Sequence, residues 1–372
     1  MGGSIHKAFG GLKDPRANGG RRHSLPAMIT LAICAVICGS EGWTDIAEFG
    51  ATKAEWFASF LDLPHGIPSH DTFGRVFARL KPQAFERCFA RWVQGLVKAG
   101  KGRLVAVDGK TLKHSFDAAA GKAAIHMVSA FASANRLVFG QIATAAKSNE
   151  ITAIPRLLKL LDLKDAIVTI DAMGCQKAIA QAIIDAGAHY VLAVKDNQPL
   201  LYAKVQTLLD EAIALKFKGM EGDCFTQSSK GHGRLETRIC WCTPEVHHLP
   251  GKKDWKGLAS VAVVESRRTL ARQSTFERRY FISSLPGDDA QGLAAAIRSH
   301  WGVENPLHWT LDVTFREDAC RVRIGHGAEN LSRLRRAALN MLQRETTRRI
   351  SIRAKRLRAG WDHNYLLLIL QT

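Results

Sequence analysis

Two stretches decide the reading of this chain: Val105-Ala-Val-Asp108-Gly-Lys-Thr111 and Ala166-Ile-Val-Thr-Ile-Asp171-Ala-Met-Gly174. Each is a short apolar, β-branched run that ends on a lone aspartate and then meets glycine. Runs of this length bounded by turn residues predict buried strands. A carboxylate at the end of such a strand emerges at the edge of an open α/β sheet, where ligands bind. Two of them, if their strands lie side by side, are the donors a metal site needs, so a metal site is expected here.

Working outward, Leu104–Asp108, His126–Ala132 and Leu137–Ala143 predict three strands, the last two joined by a hairpin turn at residues 133–136. A helix over Ile151–Leu161 follows, with Thr152 as its cap and Pro155 tolerated only in the first turn. Then come a strand at Ala166–Ile170, a helix at Gln176–Ala186 and a strand at Tyr190–Lys195. The order β-β-β-α-β-α-β is that of a ribonuclease-H-like core, in which the first and fourth strands are neighbours, so that Asp108 and Asp171 meet.

The flanks differ in texture. Residues 1–24 form a basic, flexible arm. Residues 25–100 predict a small all-helical domain, with an apolar helix over Leu25–Cys38 and a helix opened by Ser69 that repeats Phe73, Val76, Phe77 and Leu80 at helical spacing. Residues 197–285 predict a helix and then alternating strands, a strand-rich insertion within the core of 101–196 and 286–347. A helix over Ala290–Val303 should break near Pro306. Residues 348–372 form a basic tail. The fold class is therefore α/β: a ribonuclease-H-like catalytic core with a strand-rich insertion, preceded by a helical domain.

The 372 residues carry 52 Lys+Arg against 34 Asp+Glu, a net charge of +18. Such an excess favours a polyanion, most often nucleic acid. The eight cysteines contain no C-x-x-C and suit no zinc knuckle, so they are expected as reduced, packed thiols. No signal peptide is evident, and the longest apolar run, residues 27–39, is too short to span a bilayer, so a cytoplasmic, nucleoid-associated protein with no membrane partner is expected.

Phosphodiester chemistry on DNA suits magnesium, which takes hard oxygen ligands and leaves positions for phosphate and water. Such a site needs a third acid beside Asp108 and Asp171. Glu304, Asp312, Glu317, Asp318 and Glu329 all qualify. Glu304 shares a helical face with His300 at i, i+4, which favours it only moderately, and the choice stays open on the residues alone. Ten basic residues between Arg333 and Arg358, among them Arg333 and Arg336, face only Glu345 in their window and suit phosphate contact. Lys110, Lys195, Asn197, Arg234, Arg238 and His300 are further candidates for DNA contact.

The chain resembles the DDE transposases of bacterial insertion sequences, and within them the H-repeat-associated group. The resemblance lies in Val105–Leu112, Lys147–Pro155, Thr169–Gln176, His232–Arg238, Tyr280–Ser284, His300-Trp-Gly-Val-Glu304-Asn305, Ala328–Leu331 and the Pro68–Phe73 region. It implies that Asp108, Asp171 and Glu304 are the catalytic, metal-binding triad, with Mg2+ as cofactor and Mn2+ able to substitute. It implies cleavage of DNA at the element's inverted-repeat ends and joining to target DNA by a homodimer. A wider family signature places Tyr, Arg and Lys around the glutamate; here those positions hold Ile297, His300 and Leu311, so terminal-phosphate handling by those groups is not implied. Two rivals are a structure-specific nuclease without strand transfer and a domesticated, non-catalytic DNA-binding protein.

Overall fold

The computed structural model describes residues 7–17, 20–96, 103–118, 121–144, 150–231, 234–270 and 273–372. Its chain forms two compact units, Met1–Lys98 with Gly109–Asn149 and Glu304–Thr372, and Ala99–Asp108 with Glu150–Val303.

In the first unit, α1 (Leu25–Cys38) begins as expected. Ser24 caps it by accepting from Ala27 N, and Pro26 sits in the first turn, where no donor is lost. It is buried on nearly every side, so it is a core helix, and among the described residues no single helix is long and apolar enough to cross a membrane. Helices α2 (Trp43–Thr52), α3 (Ala54–Ala58), α4 (His70–Arg79) and α5 (Pro82–Leu96) follow. Ser69 caps α4, and Phe73, Val76 and Phe77 are buried on one face, as the spacing predicts. The helices do not close a core alone. Helix α10 (Gly327–Arg344), from far along the chain, packs on α1, α4 and α5, and α11 (Ile352–Trp361) and α12 (His363–Gln371) complete the layer. The arm is not free over residues 7–17: Phe9 and Leu12 are buried, and Phe9 meets the Phe85 ring edge-on at 5.3 Å. Apolar residues in a basic segment anchor it.

Strands β2 (His126–Ala132) and β3 (Leu137–Thr144) form an antiparallel hairpin in this unit, with a bulge after Ala130. Arg136 in its turn takes a left-handed backbone, φ 53°.

The second unit is a mixed sheet in the order β1-β4-β5-β9-β8-β7-β6. Strand β1 (Leu104–Thr111) runs three residues past the predicted end. It pairs in parallel with β4 (Ile167–Ile170), which pairs in parallel with β5 (His189–Val194). Helix α6 (Glu150–Leu158) precedes β4. It starts earlier than predicted, so Pro155 lies inside it rather than in its first turn. Helix α7 (Lys177–Asp185) joins β4 to β5, and α8 (Pro199–Ala214) follows β5.

Residues 223–283 do more than the predicted loose insertion. Strands β6 (Asp223–Gly231), β7 (Arg234–Thr243), β8 (Ser260–Leu270) and β9 (Gln273–Ser283) are antiparallel neighbours, and β9 pairs with β5, so they extend the same sheet. The polar strand β6 carries no apolar alternation and was not predicted. It exists because β7 offers it a full ladder of partners. Helix α9 (Ala290–His300) crosses this sheet, laying Leu293, Ala296 and Ile297 on Val191, Cys240, Ala262 and Phe281. The chain then breaks near Pro306 as expected, but into a wide π-helical segment, Val303–Thr314, at whose end Phe315 N donates to Thr310 O five residues back. Long π-helical stretches are rare, and shorter ones gather at functional sites.

Candidate active site

Strand register brings the two predicted aspartates to the end of the parallel β1–β4 ladder. Val107 is the partner of Ile170 in the parallel β1–β4 ladder, and Asp108 and Asp171 are the next residue of each strand. Both are half-buried.

The turn behind Asp171 is closely made. Asp171 Oδ1 accepts from Gly174 N at 3.3 Å, so one oxygen caps the short 3-10 turn Ala172–Gly174. A Cβ at Gly174 would stand 2.2 Å from Ile170 Cγ2, which explains glycine there. Asn197 Nδ2 donates to Ala172 O at 2.7 Å and Gln198 Nε2 to Cys175 O at 3.0 Å, so the segment after β5 braces this turn. His300, at the end of α9, meets Thr169 Oγ1 through Nδ1 at 3.2 Å. Burial lowers the His300 pKa, with the Asp171 charge opposing and Arg279 assisting. The Arg279 guanidinium stacks on Trp301 at 4.2 Å.

The first unit separates the five acids that qualified as a third ligand. Asp312 lies 2.6 Å from Lys110 Nζ, Asp318 lies 2.7 Å from it and 2.9 Å from Lys113, and buried Glu317 lies 2.8 Å from Arg336. Burial raises the Asp312 pKa more than Lys110 lowers it, whereas for Asp318 and Glu317 the cations prevail over burial and hold the carboxyls ionised. Glu329 pairs with Arg333 at 3.5 Å. Glu304, at the start of the π-helical segment, is exposed, and no ion pair within the described residues engages it. Four of the five acids are therefore committed to internal cations, and Glu304 is left available. Among the described residues no three His, Cys, Asp or Glu side chains already converge on one metal position.

The predicted DNA contacts sort less simply. Lys195 is exposed at the end of β5. Asn197 is turned to the Ala172 carbonyl. Arg238 is 2.5 Å from Glu236. Residues 232 and 233 and the Arg234 side chain lie outside the described residues. Three expectations need correction. Lys110 is 8% exposed and held by carboxylates, so it is not a free phosphate contact. Arg333 and Arg336 are 2% and 0% exposed, with Arg333 Nε 2.8 Å from Glu86 and Arg336 bound to Glu317 and Ser332. Their helix is central, and the sequence window omitted its distant acids. Arg356 is likewise buried, donating to Ile37 O at 3.3 Å and Val36 O at 3.0 Å at the end of α1. Arg348, Arg349 and Arg353 remain exposed. Sequence reasoning missed the bracing amide of Gln198, whose only signal was its position just after a strand that adjoins β4.

The model of the transposase DDE domain matches residues 99–341, and that of the DDE_Tnp_1-associated region matches residues 6–93. The chain belongs to the DDE transposase family. It is 40% identical over 365 residues to the "H repeat-associated putative transposase YhhI" of Escherichia coli strain K12, covering 96% of this chain and 95% of that one. It is 44% identical over 339 residues to the "Putative transposase YncI" of Escherichia coli O157:H7, covering 89% and 85%. A solved piggyBac transposase synaptic complex with hairpin DNA aligns over 99% of this chain and 80% of that one, at a TM-score of 0.38 and 11% identity, a likeness too weak to bear on this transposase.

Proposed function

We propose that this transposase cuts DNA at the ends of its own insertion element and joins the freed ends to target DNA at a divalent-metal site formed by Asp108, Asp171 and Glu304. The observation that carries the reading is the β1–β4 register, in which Asp108 and Asp171 directly follow Val107 and Ile170, the last pair of the parallel ladder. The commitment of the rival acids to lysine and arginine supports Glu304 as the third. The chain order of three strands, helix, strand, helix and strand, with parallel β1, β4 and β5, supports a ribonuclease-H-like core.

The donors are hard carboxylate oxygens, which fit Mg2+, with Mn2+ as a substitute. When bound, the metal supplies activation of the attacking oxygen and stabilisation of the leaving one. Water attacks the phosphodiester at the element end and releases a 3′-hydroxyl. That hydroxyl then attacks a target phosphodiester, one P–O bond forming as another breaks. Exposed Arg348, Arg349 and Arg353, with Lys195, hold phosphates through charge rather than sequence. Residues 25–100 contribute DNA binding or dimerisation, and two copies pair the two ends.

The test uses an element-end duplex and magnesium. Asp108→Asn, Asp171→Asn and Glu304→Gln each reduce strand cleavage by about 100-fold or more while DNA binding persists, the scale expected for a lost metal ligand or its support. Full cleavage by Asp108→Asn sinks the proposal. Transfer of a pre-cut end into plasmid DNA distinguishes a transposase from a nuclease.

A further inference from the structure

We infer that Lys110 is a positioning residue that staples the strand carrying Asp108 to the segment carrying Glu304. This rests on the roles proposed above for those two acids. Lys110 stands on β1 two residues past Asp108, and Asp312 stands in Val303–Thr314 eight residues past Glu304. The Lys110 ammonium lies 2.6 Å from Asp312 Oδ1 and 2.7 Å from Asp318 Oδ1, with Glu317 Oε2 at 3.8 Å. Arg336, 2.8 Å from Glu317, roots the cluster in α10, and Lys113 closes its outer side on Asp318 at 2.9 Å.

Lysine suits this place. Its ammonium is a compact charge with three rotatable donors, so carboxylates on different turns can share it, which the rigid guanidinium fork does less well. A buried cation so committed cannot also bind a phosphate without abandoning carboxylates that would then be uncompensated. Active-site geometry is unforgiving: a displacement of about 1 Å costs roughly 100-fold in rate. A staple between the two acid-bearing segments therefore acts on catalysis without touching DNA.

The experiment compares full-length Lys110→Met, Lys110→Arg, Asp312→Asn and Asp108→Asn with wild type. Readouts are the salt dependence of DNA binding, the cleavage rate, and the Mn2+ concentration for half-maximal cleavage. Lys110→Met is expected to leave the salt slope unchanged, lower the rate about 100-fold and raise the half-maximal Mn2+ concentration about tenfold, as loss of support behind metal ligands does. Lys110→Arg recovers part of both, and Asp312→Asn moves both in the same direction by less. If Lys110→Met does not fold by circular dichroism, Asp312→Asn carries the comparison. A salt slope reduced by about 1 with unchanged Mn2+ dependence would make Lys110 a phosphate contact and overturn the inference. Wild-type cleavage and Mn2+ dependence in Lys110→Met, beside an inactive Asp108→Asn, overturns it alone. An active Asp108→Asn overturns the inference and the functional reading together.

Discussion

At the scale of single residues, the arginines show how far residue type leaves position open. Arg333 and Arg336 occupy the same basic window as Arg349 and Arg353, yet the first two are buried against Glu86 and Glu317 while the others face water. The two classes should behave oppositely on mutation. Arg336→Met strands a buried carboxylate and should cost about 3–5 kcal/mol in urea unfolding, with no change in the salt slope of DNA binding. A loss below about 1 kcal/mol would show that Glu317 is solvated. Arg349→Ala with Arg353→Ala should leave the unfolding midpoint in place and reduce the salt slope by up to about 2. An unchanged slope would remove both from the DNA surface.

At the scale of elements, local pattern located most segments but not their partners, and the expected basic tail of residues 348–372 is instead the two helices α11 and α12, with Tyr365, Leu366 and Ile369 buried. Apolar runs and caps placed α1, α4, β2, β3 and β4 within a residue or two, because burial and capping are local in sequence. Polar β6 was invisible, because it is held by backbone pairing with β7 and its side chains face water. The break at Pro306 was legible; its π-helical form was not, since proline removes a donor without specifying which wider pattern replaces it. The turn after β4 yields a prediction of its own. A methyl at Gly174 would stand 2.2 Å from Ile170 Cγ2, so Gly174→Ala must shift the turn capped by Asp171. Cleavage should fall at least about tenfold while far-UV circular dichroism stays unchanged. A fully active Gly174→Ala would show that the turn yields without moving Asp171.

At the scale of the whole molecule, the C-terminal helices are tied through Glu345. Burial alone would raise its pKa, but hydrogen bonds from Thr347, Tyr365 and Lys355 outweigh that and bring it to about 2 from an ordinary 4.5. Tyr365 Oη donates to Glu345 Oε2 at 2.7 Å, and Lys355 Nζ lies 3.3 Å from the same oxygen. A depressed carboxyl pKa stabilises the fold fully above 4.5, and that contribution drains away as pH falls from about 4.5 to about 2. Glu345→Gln should therefore be less stable than wild type at pH 7, with the gap closing as pH approaches 2. A gap constant across that range in denaturant titrations would mean that the ionised form is not the stabilising one.

Legible in the sequence alone were two buried strands with an aspartate, Asp108 within one and Asp171 just past the other, a strongly basic composition and, through a resemblance spread over most of the chain, the family. Those features are local or compositional: β-branched runs, lone acids before glycine, and an excess of lysine and arginine. The folded chain, and not the sequence, separates surface charges from structural ones, shows which of the five acids has no ion-pair partner among the described residues, and makes residues 223–283 a continuation of the sheet. Several of those depend on partners hundreds of residues away, such as Glu86 for Arg333 and Asp312 for Lys110. No local pattern carries that information, because the energy of a charge is set by what lies beside it in space.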